Sequence, residues 1–160
     1  MSETISINEV VTHADKELLN ACYIKMFHKP LETTDIIKEY TEMYHISEEE
    51  TLSFFLIISD AIVVGYVATI TAETEDEVSR EIILPDLFPN YRWLISEVLK
   101  KVIKQFKNNV LTINFIGMSN VLTDKTLSAI NDLGMKVYSN VYSDKTNLRT
   151  LVFGKWDYAN

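Results

Sequence analysis

The spacing of apolar residues divides the chain into two kinds of segment. TISINEVV, near the start, alternates apolar and polar positions, the period of a half-buried strand. Leu18, Leu19, Cys22, Tyr23, Met26 and Phe27 then fall at the spacing of a one-sided helix, which Pro30 should stop. Thr33 or Thr34 is expected to cap a second helix, with Ile36, Ile37, Tyr40, Met43 and Tyr44 as its stripe. The acidic SEEE that follows reads as a solvated loop or helix tail.

After this the period changes. LSFFLIIS and AIVVGYVATIT are β-rich runs that break at Ser59-Asp60, the pattern of a hairpin. Both runs are apolar on both faces, so they belong at the centre of a sheet covered by helices. AETEDEVSRE supplies a charged turn, with Glu73, Glu75, Asp76 and Glu77 as its acidic run, and SREIILP a fourth strand. Leu94, Ile95, Val98, Leu99, Val102, Ile103 and Phe106 keep helical spacing for more than three turns, with lysines largely off the stripe. VLTINFIGM reads as a fifth strand. Thr123 is placed to cap a short helix through Leu127, Ile130 and Leu133, which Gly134 would close. KVYSNVY and LRTLVFGKW are two last strands. The order β-α-α-β-β-β-α-β-α-β-β predicts a mixed α/β sheet in which the helix after strand four is a crossover.

At 160 residues the chain is expected to form one domain spanning 1–160, with a sizeable core. Its net charge of −8 argues against nucleic acid or an anionic membrane as the main partner, since no broad cationic surface is available. It leaves room for a local basic pocket holding one phosphate-bearing ligand. The single cysteine, Cys22, excludes an internal disulfide and reads as a buried helical thiol. The N-terminus lacks the pattern of a secretory signal and no apolar run is long enough to span a bilayer, so a cytoplasmic protein is expected. His13, His28 and His45 have no ligand-like spacing, and no metal site is expected. Phosphate-loop, nucleophile-elbow and dinucleotide-binding glycine patterns are absent.

Three stretches carry a resemblance. FLIISDAIVVGYVATI looks like the central hairpin of the GNAT superfamily of acyl-CoA-dependent N-acyltransferases. EIILPDLFPNYRWLISEVLKKVI looks like its fourth strand, cofactor loop and following helix, and LSAINDLGMKVYS like its last helix entering the next strand. The resemblance implies a GNAT-like sheet, mixed but mainly antiparallel and flanked by helices, and acetyl-CoA as cofactor. It also implies an amine acceptor, whether a small molecule or a peptide. The cofactor's pantetheine arm would enter between strands four and five, near Ile83, Leu84 and Leu87. Asn90, Tyr91, Arg92 and Trp93 would receive the pyrophosphate at the helix start. A carboxylate on strand four often serves as base in that family, which points to Glu81.

The match departs from the family at two places. The cofactor loop usually carries glycines after its arginine, because side chains block a backbone that must wrap a pyrophosphate. Here Arg92 is followed by Trp93 and Leu94. Either the loop still presents N–H groups with Arg92 as the countercharge, or Trp93 fills the groove and Arg92 is merely solvated. Further on, the position of the family's acidic tyrosine is Ile130, and that of an associated asparagine is Thr123. Tyr138, with Tyr91 and Tyr142, could replace the tyrosine as proton donor. Two readings follow: an N-acyltransferase using acetyl-CoA, or a GNAT-like sensor or interaction module without catalysis. The C-terminal pair Trp156 and Tyr158 could cover a second copy, so a homodimer is one expectation.

Overall fold

The computed structural model describes the backbone of residues 4–73, 78–106, 113–118, 124–133, 136–143 and 148–155, and the side chains of 4–73, 80–106 and 128–133. In chain order the elements are β1 (Ile5–Glu9), α1 (His13–Phe27), α2 (Ile36–Met43), β2 (Glu50–Ser59), β3 (Ile62–Glu73) and β4 (Val78–Leu87). A 3-10 helix (Pro89–Leu94) leads into α3 (Ile95–Phe106), followed by β5 (Ile113–Met118), α4 (Asp124–Asp132), β6 (Lys136–Ser143) and β7 (Leu148–Lys155). This is the expected order with one 3-10 helix added.

The strands form one seven-stranded sheet in the order β1-β2-β3-β4-β5-β7-β6. Every neighbouring pair is antiparallel except β4 and β5, which α3 connects as a parallel crossover. Each face of the sheet carries its own core. Leu19, Cys22 and Tyr23 of α1 and Ile36 and Tyr40 of α2 pack on Phe54, Leu56, Tyr66, Ala68, Ile70 and Ile83. The apolar stripe of α3 and Ala129 and Ile130 of α4 pack on Ile5, Ile7, Phe55, Ile57, Val64, Val67 and Ile82. β2 and β3 therefore lie between two helical layers, which explains why both were apolar on both sides. Cys22 is buried, and that burial holds its thiol up to about 12.

Local signals account for most boundaries. Thr12 and Asp15 exchange side-chain and backbone hydrogen bonds in a capping box at the start of α1. His28 takes a left-handed conformation (φ 54°) at its end, two residues before Pro30. The cap of α2 is Asp35, not Thr33 or Thr34: its carboxylate accepts from the N–H groups of Ile37 and Lys38. A carboxylate also suits the positive end of the helix dipole. Thr123 and Gly134, the expected ends of α4, lie outside the described residues, as do Glu75, Asp76, Glu77, Trp156 and Tyr158.

The β2–β3 hairpin turns one residue later than its sequence suggests, at Asp60-Ala61, and both have positive φ (49° and 67°). That is the conformation a two-residue hairpin loop needs to match strand twist. Alanine pays a steric cost there that glycine does not. Ala61→Gly is expected to raise stability by about 1 kcal/mol, or roughly 2–4 °C in Tm, read by thermal melting.

Candidate functional site

Three pairs join β4 to β5: Glu81 with Asn114, Ile82 with Phe115 and Ile83 with Ile116. Beyond Ile83 the ladder stops, yet β4 runs on to Leu87 and β5 to Met118. The two parallel neighbours thus stop pairing before their C-terminal ends, while β4 continues its pairing with β3 and β5 with β7. Strand four, expected to end at Pro85, runs on through Asp86 and Leu87.

Its irregularity comes from the pairing with β3. Ala68 faces Ile83 and Tyr66 faces Asp86, so three steps of β4 match two of β3 and one extra residue bulges from β4. Pro85 lies in that bulge, where a residue without an N–H is tolerated inside a sheet. The bulge resets the alternation of side chains. Ile82 and Leu84 point to the α3 face and Ile83 to the α1–α2 face; after the bulge Leu87 returns to the α3 face. Asp86 opposes Tyr66 and is thereby aimed at the α1–α2 face.

What Asp86 meets there is a set of aromatic side chains. The Tyr40 hydroxyl donates to its Oδ2 at 3.3 Å, and the hydroxyls of Tyr40 and Tyr66 share a hydrogen bond of 2.8 Å. The rings of Tyr40 and Tyr66 are 6.1 Å apart, Tyr23 and Tyr66 6.4 Å, and Tyr40 and Phe54 5.3 Å. Burial of the carboxyl pushes it up to about 6, against the opposing hydrogen bonds of Tyr40 and Tyr66 and the charge of Arg92. Burial likewise raises the tyrosines, with Asp86 adding to the effect for Tyr40, Tyr44 and Tyr66.

Because the folded protein holds the Asp86 proton more tightly than the unfolded chain, stability falls as pH rises from about 4 to about 6, then levels off. Asp86→Asn should therefore be more stable than the wild type at pH 8, by on the order of 2 kcal/mol, and the gap should close near pH 4. Urea denaturation of both proteins at the two pH values checks this.

Glu81 lies in the part of β4 that pairs with β5. It shares a face with Ile83, while Arg80 faces α3 and sets its guanidinium 5.2 Å from the centre of the Phe106 ring. The expected division of these two neighbours across the sheet is what the fold shows. Burial, then the charge of Glu50, raises the Glu81 carboxyl. Tyr138 is the extra residue at an irregularity between β6 and β7, with β7 standing between its strand and β5.

Directly after β4, Pro89 fixes its own φ and starts the 3-10 helix at once. This local winding takes up N–H groups that an open phosphate loop would present: Tyr91 donates to the Phe88 carbonyl at 2.8 Å and Ile95 to that of Arg92. Tyr91 packs against the core beneath α3, while Arg92 and Trp93 are exposed. Trp93 is 58% exposed. With Arg92, Ile95 and Ser96 it forms one wall of an open cavity of about 430 Å³, closed opposite by Ser128, Ala129 and Asp132 of α4. Among the described residues no group of three or more metal-ligating side chains forms, and no helix is long and apolar enough to cross a membrane.

No protein-family model and no curated protein matches the sequence. Solved structures match the fold over nearly its whole length. A probable GNAT-family acetyltransferase from Chromobacterium violaceum superposes with a TM-score of 0.66 at 14% identity, covering 98% of this chain and 90% of that one. Arabidopsis thaliana Naa50, in complex with the bisubstrate analogue CoA-Ac-MVNAL, gives 0.63 at 15% identity over 94% and 97%. A spermidine N-acetyltransferase SpeG chimera from Vibrio cholerae and hSSAT gives 0.59 at 14% identity over 98% of each. The chain has the GNAT fold.

Asp86, Tyr40 and Tyr66 were not singled out by their sequence pattern. The readable signal was indirect: a proline near the end of a strand, where the neighbouring strand carries a glycine that pairs with Leu87.

Proposed function

We propose that this chain transfers an acyl group from acetyl-CoA to an amine, with the cofactor lying between β4 and β5, beyond their last pair. The observation that carries the reading is the early end of the β4–β5 ladder, next to a helix start, in a fold shared with solved N-acetyltransferases. Backbone groups of Ile83, the last paired residue, and of Leu84 and Leu87 beyond it would hydrogen-bond the pantetheine arm. Asn90, Tyr91, Arg92 and Trp93 would meet the cofactor's phosphates and nucleotide. In this assignment Arg92 supplies the charge and the exposed indole a stacking surface, replacing the glycine-lined wrap that the 3-10 helix does not provide.

The chemistry of such a site is mainly positioning: a thioester held there with an amine approaching its carbonyl carbon. Ile130 is buried at 2% exposure and has no proton to give to the departing thiolate. That proton comes from water or from Tyr138; an unchanged kcat in Tyr138→Phe would assign it to water.

Calorimetric titration with acetyl-CoA tests the cofactor reading. The wild type should bind saturably, and Arg92→Ala should bind about tenfold more weakly, or about 1.4 kcal/mol. Absence of saturable binding by the wild type at millimolar acetyl-CoA would contradict it.

A further inference from the structure

On the acyl-transfer reading, we propose that the preferred donor is a pantetheine thioester of adenosine diphosphate whose ribose carries no phosphate, and that Asp132 sets this preference. The place is the open cavity of about 430 Å³ between the start of α3 and the last turns of α4. Its volume falls in the range of about 300–1,000 Å³ common to small-ligand sites. Ile95 and Ala129 give it buried apolar members, while Trp93 leaves a large ring in water beside it. An exposed indole at the rim of a cavity is a surface on which a nucleobase stacks.

Charge decides what sits next to the base. Among the described residues that line the cavity, Arg92 is the one cation and Asp132 the one anion. The ion pairs among the described residues are His13–Glu17, Lys29–Glu39 and Lys100–Glu97, so neither Arg92 nor Asp132 is ion-paired with a described residue. Arg92 belongs to the stretch assigned to the cofactor's diphosphate, where its guanidinium forks onto phosphate oxygens. Asp132 lines the opposite wall. An ionised carboxylate accepts hydrogen bonds and has none to give a phosphate. Its two oxygens match the adjacent hydroxyls of an unmodified ribose, which is how an acidic side chain separates a free from a phosphorylated ribose in dinucleotide sites. A ribose phosphate brings up to about two further negative charges toward that carboxylate, with the cavity's cation already engaged by the diphosphate. The hydroxyls of Ser96 and Ser128 serve either ligand, so the charge at position 132 makes the difference.

Calorimetric titration of the full chain with acetyl-dephospho-CoA and with acetyl-CoA tests this. At low salt acetyl-dephospho-CoA should bind about fivefold more tightly, and the ratio should shrink in high salt, which screens exposed charges. Asp132→Asn should bring the two within about twofold of each other, and Asp132→Lys should reverse their order. Both replacements lie at the exposed end of α4 and leave buried Ala129 and Ile130 in place. Acetyl-4′-phosphopantetheine, which lacks the adenosine, should bind at least about fivefold more weakly than acetyl-dephospho-CoA, and Trp93→Ala should narrow that gap.

Acetyl-CoA binding as tightly as acetyl-dephospho-CoA, a preference unchanged in Asp132→Asn, or equal binding of the phosphopantetheine thioester would overturn the proposal. So would a Lys125→Ala variant that loses acetyl-CoA and keeps acetyl-dephospho-CoA: α4 carries Lys125 three residues before Ser128, and that result would give the ribose phosphate a cation of its own. Failure of both thioesters to bind removes the acyl-transfer reading and the preference with it. Binding of both in the opposite order removes only the preference.

Discussion

Gly65→Ala should unfold this protein at a temperature roughly 6–12 °C lower than the wild type, a loss of about 3 kcal/mol. Gly65 pairs with Leu87 where β3 passes the bulge of β4. A methyl group at that position collides with the carbonyl oxygen of Asp86 and stands 2.9 Å from Cδ2 of Leu87. The first obstacle is backbone, so no rotamer change relieves it, and the end of β4 must move away from β3. That movement displaces Asp86 from Tyr66 and alters the edge to which the pantetheine arm is assigned. Stability and ligand binding should therefore fall together in this variant. Thermal melting paired with acetyl-CoA titration checks the coupling, and a melting temperature within 2 °C of the wild type would refute it.

Leu99→Ala should be comparable in size, costing about 3 kcal/mol, but with a different signature. Leu99 is fully buried at the centre of the α3 stripe, between Val98 and Val102 and above the β-strand core. Removing its side chain leaves a cavity that a rigid helix–sheet interface closes only in part, and Leu→Ala changes of this kind span about 2–5 kcal/mol. The 3-10 helix and the Arg92–Trp93 wall precede this point in the chain and keep their own anchor in Leu94, buried at 1% exposure. Ligand affinity of the folded fraction should therefore stay within about threefold of the wild type. Urea denaturation and titration well below the transition separate the two effects.

Much of the fold could be read from periodicity because the helices are strongly one-sided and the central strands doubly apolar. The stripe from Leu94 to Phe106 specifies α3 without reference to any other element. Errors fell where one residue decides geometry. Asp35 outcompeted two threonines as a cap because its carboxylate reaches two N–H groups at once. Pro85 reads as the end of a strand, yet it sits within one, because a bulge absorbs its missing donor. That bulge also explains why Asp86 escaped notice: strict alternation from Ile83 would have sent its side chain to the α3 face. Facing after a bulge depends on the partner strand, which no local pattern encodes. The cofactor loop was legible only as a departure, since nothing in PNYRW announces that a proline would wind it into a 3-10 helix.

In the proposed function a CoA thioester lies along β4 beyond its last pair with β5. The most direct test is a titration of the ¹⁵N-labelled chain with acetyl-CoA, following backbone amide shifts residue by residue. Saturable shifts concentrated at Leu84, Asp86 and Leu87 and at Asn90 to Trp93, with the α1–α2 core of Leu19 and Ile36 unmoved, are the predicted result. An unchanged spectrum at millimolar acetyl-CoA, or shifts confined to a surface away from β4 and the 3-10 helix, would contradict the account.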